Sequence, residues 1–226
     1  MGIWSNEQIE AVKHGNVLQL QQELSAGKLN VNGITDEFLP VIMIAVYYHQ
    51  RDVVNWFQSN GCELDGYAAA ALGDVITLTK WMNQQSKHDE ALCSFSVDGW
   101  TLLHLAAFFG HDEVVTWLIN HGAPLNLFSR NNQTNQPLHA AVAARHAQIA
   151  IDLICAGAPV NIEANGFTPL MLACANEMTE LVEFLLEHGA DPAYRSDAGI
   201  TAWDMVERHE QDDIRVVLRE YGAGVH

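Results

Sequence analysis

The sequence predicts an all-α solenoid of about seven stacked helix-turn-helix units with β-hairpin-like fingers between them. Three observations lead there. One pattern recurs: threonine or proline, leucine, histidine or a stand-in, alanines, a turn, a hydrophobic run and a closing Gly-Ala. Its fullest copy runs from Asp98 through Thr101, His104, Ala106 and Ala107 to Gly122-Ala123. The pattern keeps a period near 33: Gly166 and Gly199 are 33 residues apart, as are Thr168 and Thr201, and His104 and His139 are 35 apart. Finally, each apolar run spans only about two to three helical turns, too few for a helix that stands alone. Each unit must therefore bury its apolar face against a neighbour.

Unit one (6–34) carries Ile9, Ala11 and Val12 before the turn His14-Gly15-Asn16, then Val17, Leu18, Leu20 and Leu24. Unit two (35–65) matches unit four at a constant offset of 61, which sets Ala45 on Ala106, Tyr47-Tyr48 on Phe108-Phe109 and Trp56 on Trp117. Pro40 stands where the entry threonine belongs. Unit three (66–97) is the weakest, with a short alanine-rich first helix, a second helix over Val75 to Met82, and a polar connection over 86–97. Unit four is 98–130, its second helix expected near 112–120. Units five (131–163) and six (164–196) carry Gln136-Pro137-Leu138-His139 and Thr168-Pro169-Leu170-Met171. Unit seven (197–222) closes with an amphipathic helix over Asp212 to Tyr221.

Each recurrent residue has a physical task. Thr101 and Thr168 are placed to cap the first helix of their units. Pro137 and Pro169 then take the first helical position, where a missing N–H costs nothing. Paired alanines at 106–107 and 140–141 let helices approach closely while keeping helix propensity high. Gly122, Gly157 and Gly189 follow the second helices, as left-handed caps require.

These motifs resemble the ankyrin-repeat family over nearly the whole chain, strongly over 98–222 and weakly over 6–97. The resemblance implies a single domain that binds another protein on a concave face of hairpins and first helices, with no catalysis and no cofactor. Mapped by register, the variable positions of that face are Tyr47 and Tyr48 in unit two, and Asp98, Trp100, Phe108 and Phe109 in unit four. Units five and six give Gln133, Asn135, Asn165 and Phe167, and unit seven gives Arg208 and His209. The resemblance also places His104 and His139 where such repeats hydrogen-bond from unit to unit, and His111 and His146 at the turn.

Charge narrows the partner. Lys and Arg number 11 against 28 Asp and Glu, a formal net charge of −17. Nucleic acid and anionic membrane need a basic footprint, so both are disfavoured, and a basic protein is the expected complement. The charge is uneven: residues 114–162 carry one acid and two bases, while 1–113 and 163–226 each carry a net −9. No zinc-protease, serine-hydrolase, dinucleotide or phosphate-loop motif occurs. No signal segment or bilayer-length apolar run is present, and the four cysteines show no CxxC, so they read as small core residues of a monomeric cytoplasmic protein. Two narrower functions fit the same features: an acidic inhibitor or immunity protein that blocks a basic enzyme, and an ankyrin effector delivered into a host cell, with Glu207, Glu210, Asp212, Asp213 and Glu220 in its acidic tail.

Overall fold

The computed structural model describes residues 2–207 and 212–222. Within them the chain forms seven helix pairs in sequence order. They are α1 (Asn6–Lys13) with α2 (Val17–Ser25), α3 (Val41–Tyr47) with α4 (Arg51–Ser59), and α5 (Gly66–Leu72) with α6 (Val75–Gln84). After the short extra helix α7 (His88–Leu92) come α8 (Leu102–Phe109) with α9 (Asp112–Asn120), and α10 (Pro137–Ala143) with α11 (Ala147–Cys155). The last pairs are α12 (Pro169–Ala175) with α13 (Thr179–Glu187), and α14 (Ala202–Glu207) with α15 (Asp212–Glu220). First helices stack in one row and second helices in another. α9 occupies the expected residues. No strands form among the described residues, and the fingers are tight turns with isolated bridges such as Ala164 to Phe167.

The caps follow the reading of the sequence. The Thr101 hydroxyl accepts the His104 N–H, the Thr168 hydroxyl accepts that of Met171, and Pro137 and Pro169 open their helices. The paired alanines 106–107 and 140–141 are buried between units. Apolar burial runs without a break from Trp4 to Leu218. Helices of six to ten residues thus gain their stability from stacking rather than from length.

Two expectations are corrected. Residues 86–97 are not merely a polar connection: α7 forms there and buries Ala91 and Leu92. Ser94 joins it to the unit through a 2.7 Å hydrogen bond with the Tyr67 hydroxyl. Of the cysteines only Cys174 is a core residue, its thiol pushed up to about 12 by burial. Cys62 is half-buried, and Cys93 and Cys155 are exposed because they sit at helix ends where the apolar stripe has turned away.

A small device at the finger bases was not read from the sequence. Thr35, Ser96, Ser129 and Ser196 each accept the N–H of the residue closing the finger: Leu39, Trp100, Asn135 and Ile200, at 3.0 to 3.2 Å. The main chain closes the same four turns. A hydroxyl at this point satisfies a donor that the turn geometry would leave unpaired.

Candidate partner-binding surface

The surface is built where first helices end and fingers begin. Tyr47 ends α3, and Phe108 and Phe109 end α8. Between them α5 presents the small, buried Ala71 at the corresponding place. The Tyr47 ring lies 5.7 Å from that of Phe109, tilted by 39°. Phe108 meets Phe109 edge-on at 5.2 Å, and His49 approaches the same ring at 6.4 Å. The Tyr47 hydroxyl donates a short hydrogen bond to the Asp98 carboxylate. Burial, and then the negative charge of Asp98, hold the Tyr47 hydroxyl in its protonated form far above its ordinary range.

Of the twelve residues expected at the interface the structure describes ten, which separate into four kinds. Tyr48 and Phe108 are open to solvent, 50% and 41% exposed. Gln133 and Asn165 are exposed too, but they tie two fingers together: the Asn165 amide donates to the Gln133 carbonyl and accepts from Thr134. Tyr47, Trp100, Phe109 and Phe167 are half-buried and pack against the core. Trp100 rests near the His104 ring, with centroids 5.6 Å apart.

Asp98 and Asn135 are structural in their visible contacts. Asp98 accepts from Tyr47 and Ser96, and its carbonyl takes the Asn131 amide at 3.0 Å. The Asn135 carbonyl accepts from His104 Nε2 at 2.9 Å. Arg208 and His209 lie outside the described residues.

The sequence did not signal everything at this surface. Lys13 places its ammonium 5.5 Å from the Tyr48 ring centroid, which links unit one to the aromatic group. Phe38 and Phe128 are exposed on fingers, at 67% and 45%. A regular spacing marks helix faces, whereas finger tips follow local turn geometry and leave no periodic trace.

Two buried histidines hold backbone carbonyls of the fingers. His104 is fully buried; Nε2 donates to the Asn135 carbonyl, and Nδ1 is 2.8 Å from the Thr101 hydroxyl. His139 repeats this one unit on, with Nε2 3.0 Å from the Ile162 carbonyl. Desolvation holds both rings neutral, with pKa lowered to about 4 despite the carbonyl bonds that pull the other way. Among the described residues no group of three or more His, Cys, Asp or Glu side chains could hold a metal ion. No described helix is long and apolar enough to cross a membrane.

Stacked short helix pairs, finger turns and buried histidines define a helical repeat protein. The family model for ankyrin repeats in three copies matches residues 42–164 and 129–196, and the chain belongs to the ankyrin-repeat family. It is 36% identical over 121 residues to ankyrin repeat and KH domain-containing protein mask-1 of Caenorhabditis elegans, covering 53% of this chain and 4% of the relative. Over 139 residues it is 36% identical to ankyrin repeat and SOCS box protein 16 of Mus musculus, covering 54% and 30%. Tyrosine-protein kinase Shark of Drosophila melanogaster is 33% identical over 127 residues, covering 55% and 13%. The chain thus spans less than a third of the length of each of these relatives. Ankyrin repeats indicate a protein–protein interaction module.

Proposed function

We propose that this chain is a non-catalytic binding module whose interface centres on the aromatic group of units two and four, on the concave face. One observation carries the reading. Tyr48 and Phe108 stay half exposed while Tyr47 and Phe109 beside them are ordered by packing and by Asp98. Large aromatics held rigid at a surface lose little entropy on binding and dominate interface energetics. The partner is another protein with basic surface, because a net charge of −17 steers such a partner and repels nucleic acid. The module acts as a monomer in the cytoplasm.

The charge also supports a second reading, an acidic inhibitor that covers the active site of a basic enzyme. Delivery into a host cell as an effector draws on the acidic tail alone, in which Glu210 lies outside the described residues. Capture from native lysate, followed by mass spectrometry, tests the main proposal. The wild-type chain should retain a specific protein that the Tyr48→Ala/Phe108→Ala double variant loses, with dissociation at least about tenfold faster. Equal capture by both would rule out the aromatic group as the interface centre. Capture of one basic enzyme together with loss of its activity would favour the inhibitor.

A further inference from the structure

Neighbouring units are joined at the turn between their helices by a repeated clamp. The residue preceding the second helix reaches back to a carbonyl near the end of the previous first helix. Gln50 donates to Lys13 at 2.7 Å, His111 to Ala71 at 2.8 Å, and His146 to Phe108 at 3.0 Å. Each clamp lies across a glycine of the previous turn. A Cβ on Gly15 would fall 2.6 Å from Gln50, one on Gly73 2.6 Å from His111, and one on Gly110 2.4 Å from His146. Glycine and clamp therefore come as a pair. Where unit five has Arg145 in place of the glycine, the residue before α13 is Met178, and Asn176 instead bonds Val142 at 2.9 Å from two residues earlier.

At the seam between units two and three both halves of the pair are missing. The turn carries His49, in left-handed backbone (φ 53°), where the glycine would be. The clamp position carries Asp74, which cannot donate to a carbonyl and instead caps its own helix through Thr77. Among the described residues no hydrogen bond joins 35–64 to 66–97. α4 and α6 do not approach each other as the other consecutive second helices do. The seam is also open at both edges. A groove of about 540 Å³ lies at the turn edge between Val46, His49, Val54, Leu72 and Asp74. Another of about 180 Å³ lies at the finger edge between Ile34, Val41, Cys62 and Ala68. The larger groove sets Arg51 and two histidines against Asp74, so its charge selects no occupant. Among the described residues the hydrogen bond that reaches across unit three is that of the Tyr47 hydroxyl to Asp98, and the rings of Tyr47 and His49 both approach Phe109.

We propose that the seam between units two and three is a hinge, and that Tyr47 is the strap that closes it. Units one and two swing as one block against units four to six, and the swing separates the Tyr47 ring from that of Phe109. Apolar packing of α3 on α5 remains as the pivot. This inference concerns motion and stands apart from the identity of any partner.

Hydrogen exchange on the whole chain, read by mass spectrometry, tests it with two opposite changes. Tyr47→Phe keeps the ring and removes the hydroxyl. Amides of 41–72 should then exchange at least about fivefold faster, while those of 137–187 keep their rates. The double variant His49→Gly/Asp74→His rebuilds both halves of the clamp and should slow the same amides by a similar factor. A uniform change along the array in either variant, or no change over 41–72 in both, would overturn the hinge. If the Tyr47 variant unfolds, the double variant decides alone.

Discussion

The seam between units four and five and the seam between units two and three join similar helices by different means. At the first, His104 and His146 both cross, and the Asn131 amide bonds the Asp98 carbonyl at 3.0 Å. At the second, among the described residues, apolar packing, the Tyr47 strap and the edge contact of His49 with Phe109 hold the two sides. The lesson is that apolar stacking sets the architecture, while buried polar bonds decide how rigidly a given seam is held. Stability in a solenoid is a sum of units and seams, so a weak seam remains local.

The sharpest way to break the contrast is acid. His104 and His139 have folded-state pKa values near 4 against about 6.5 when unfolded. Between those values the unfolded chain binds the extra protons. The stability these neutral rings preserve is therefore intact above about pH 6.5 and is lost as pH falls towards 4, by up to about 3 kcal/mol for each ring. Urea unfolding at pH 7 and pH 4.5 should show that loss over units four to six. It should shrink when His104 is replaced, and an unchanged midpoint would show that the rings titrate normally. A somewhat smaller effect is expected from His104→Ala at pH 7. It deletes a buried ring with bonds to Asn135 and Thr101 and should cost about 2–4 kcal/mol, measured by the same unfolding.

A third change sharpens the comparison within the strong half. Unit four pairs Thr101 with His104, whereas unit five pairs Gln136 with His139. Gln136 makes no cap, its Oε1 and His139 Nδ1 are buried without partners, and its amide bonds the Asn126 carbonyl at 2.9 Å. Gln136→Thr should copy the unit-four arrangement and stabilise the array by about 1 kcal/mol, seen as a raised thermal midpoint. A lowered midpoint would mean that the Asn126 bond matters more than the cap. The smallest effect is expected from Phe108→Ala. With 41% of its surface exposed, it should shift stability by less than about 0.5 kcal/mol, in contrast with its effect on partner capture.

The fold was legible because it is periodic. The caps at Thr101 and Thr168, the alanine pairs and α9 stand where the spacing put them. The surface was only partly legible. Register set Tyr47, Phe108 and Phe109 at helix ends and Trp100 on a finger, but it could not show that the Tyr47 hydroxyl bonds Asp98. That contact spans 51 residues and skips a unit, and no repeat pattern encodes it. Replacing Trp100 or Phe109 would therefore disturb packing as well as binding, which makes Tyr48 and Phe108 the cleaner probes. α7 escaped notice because Ala91 and Leu92 are two apolar residues in a charged stretch, too few to show a period.

The pairing of a turn glycine with the clamp above it has a consequence for how such a chain changes over time. Gly110 and His146 lie 36 positions apart, yet neither can be exchanged freely while the other stays. A side chain at 110 would displace the imidazole, and loss of the imidazole would take this donor from the Phe108 carbonyl. Duplication or shuffling of a single repeat would bring together a turn and a clamp that were never matched. The heritable module in this array is accordingly the boundary between two repeats, and any recombination point between positions 110 and 146 parts that pair.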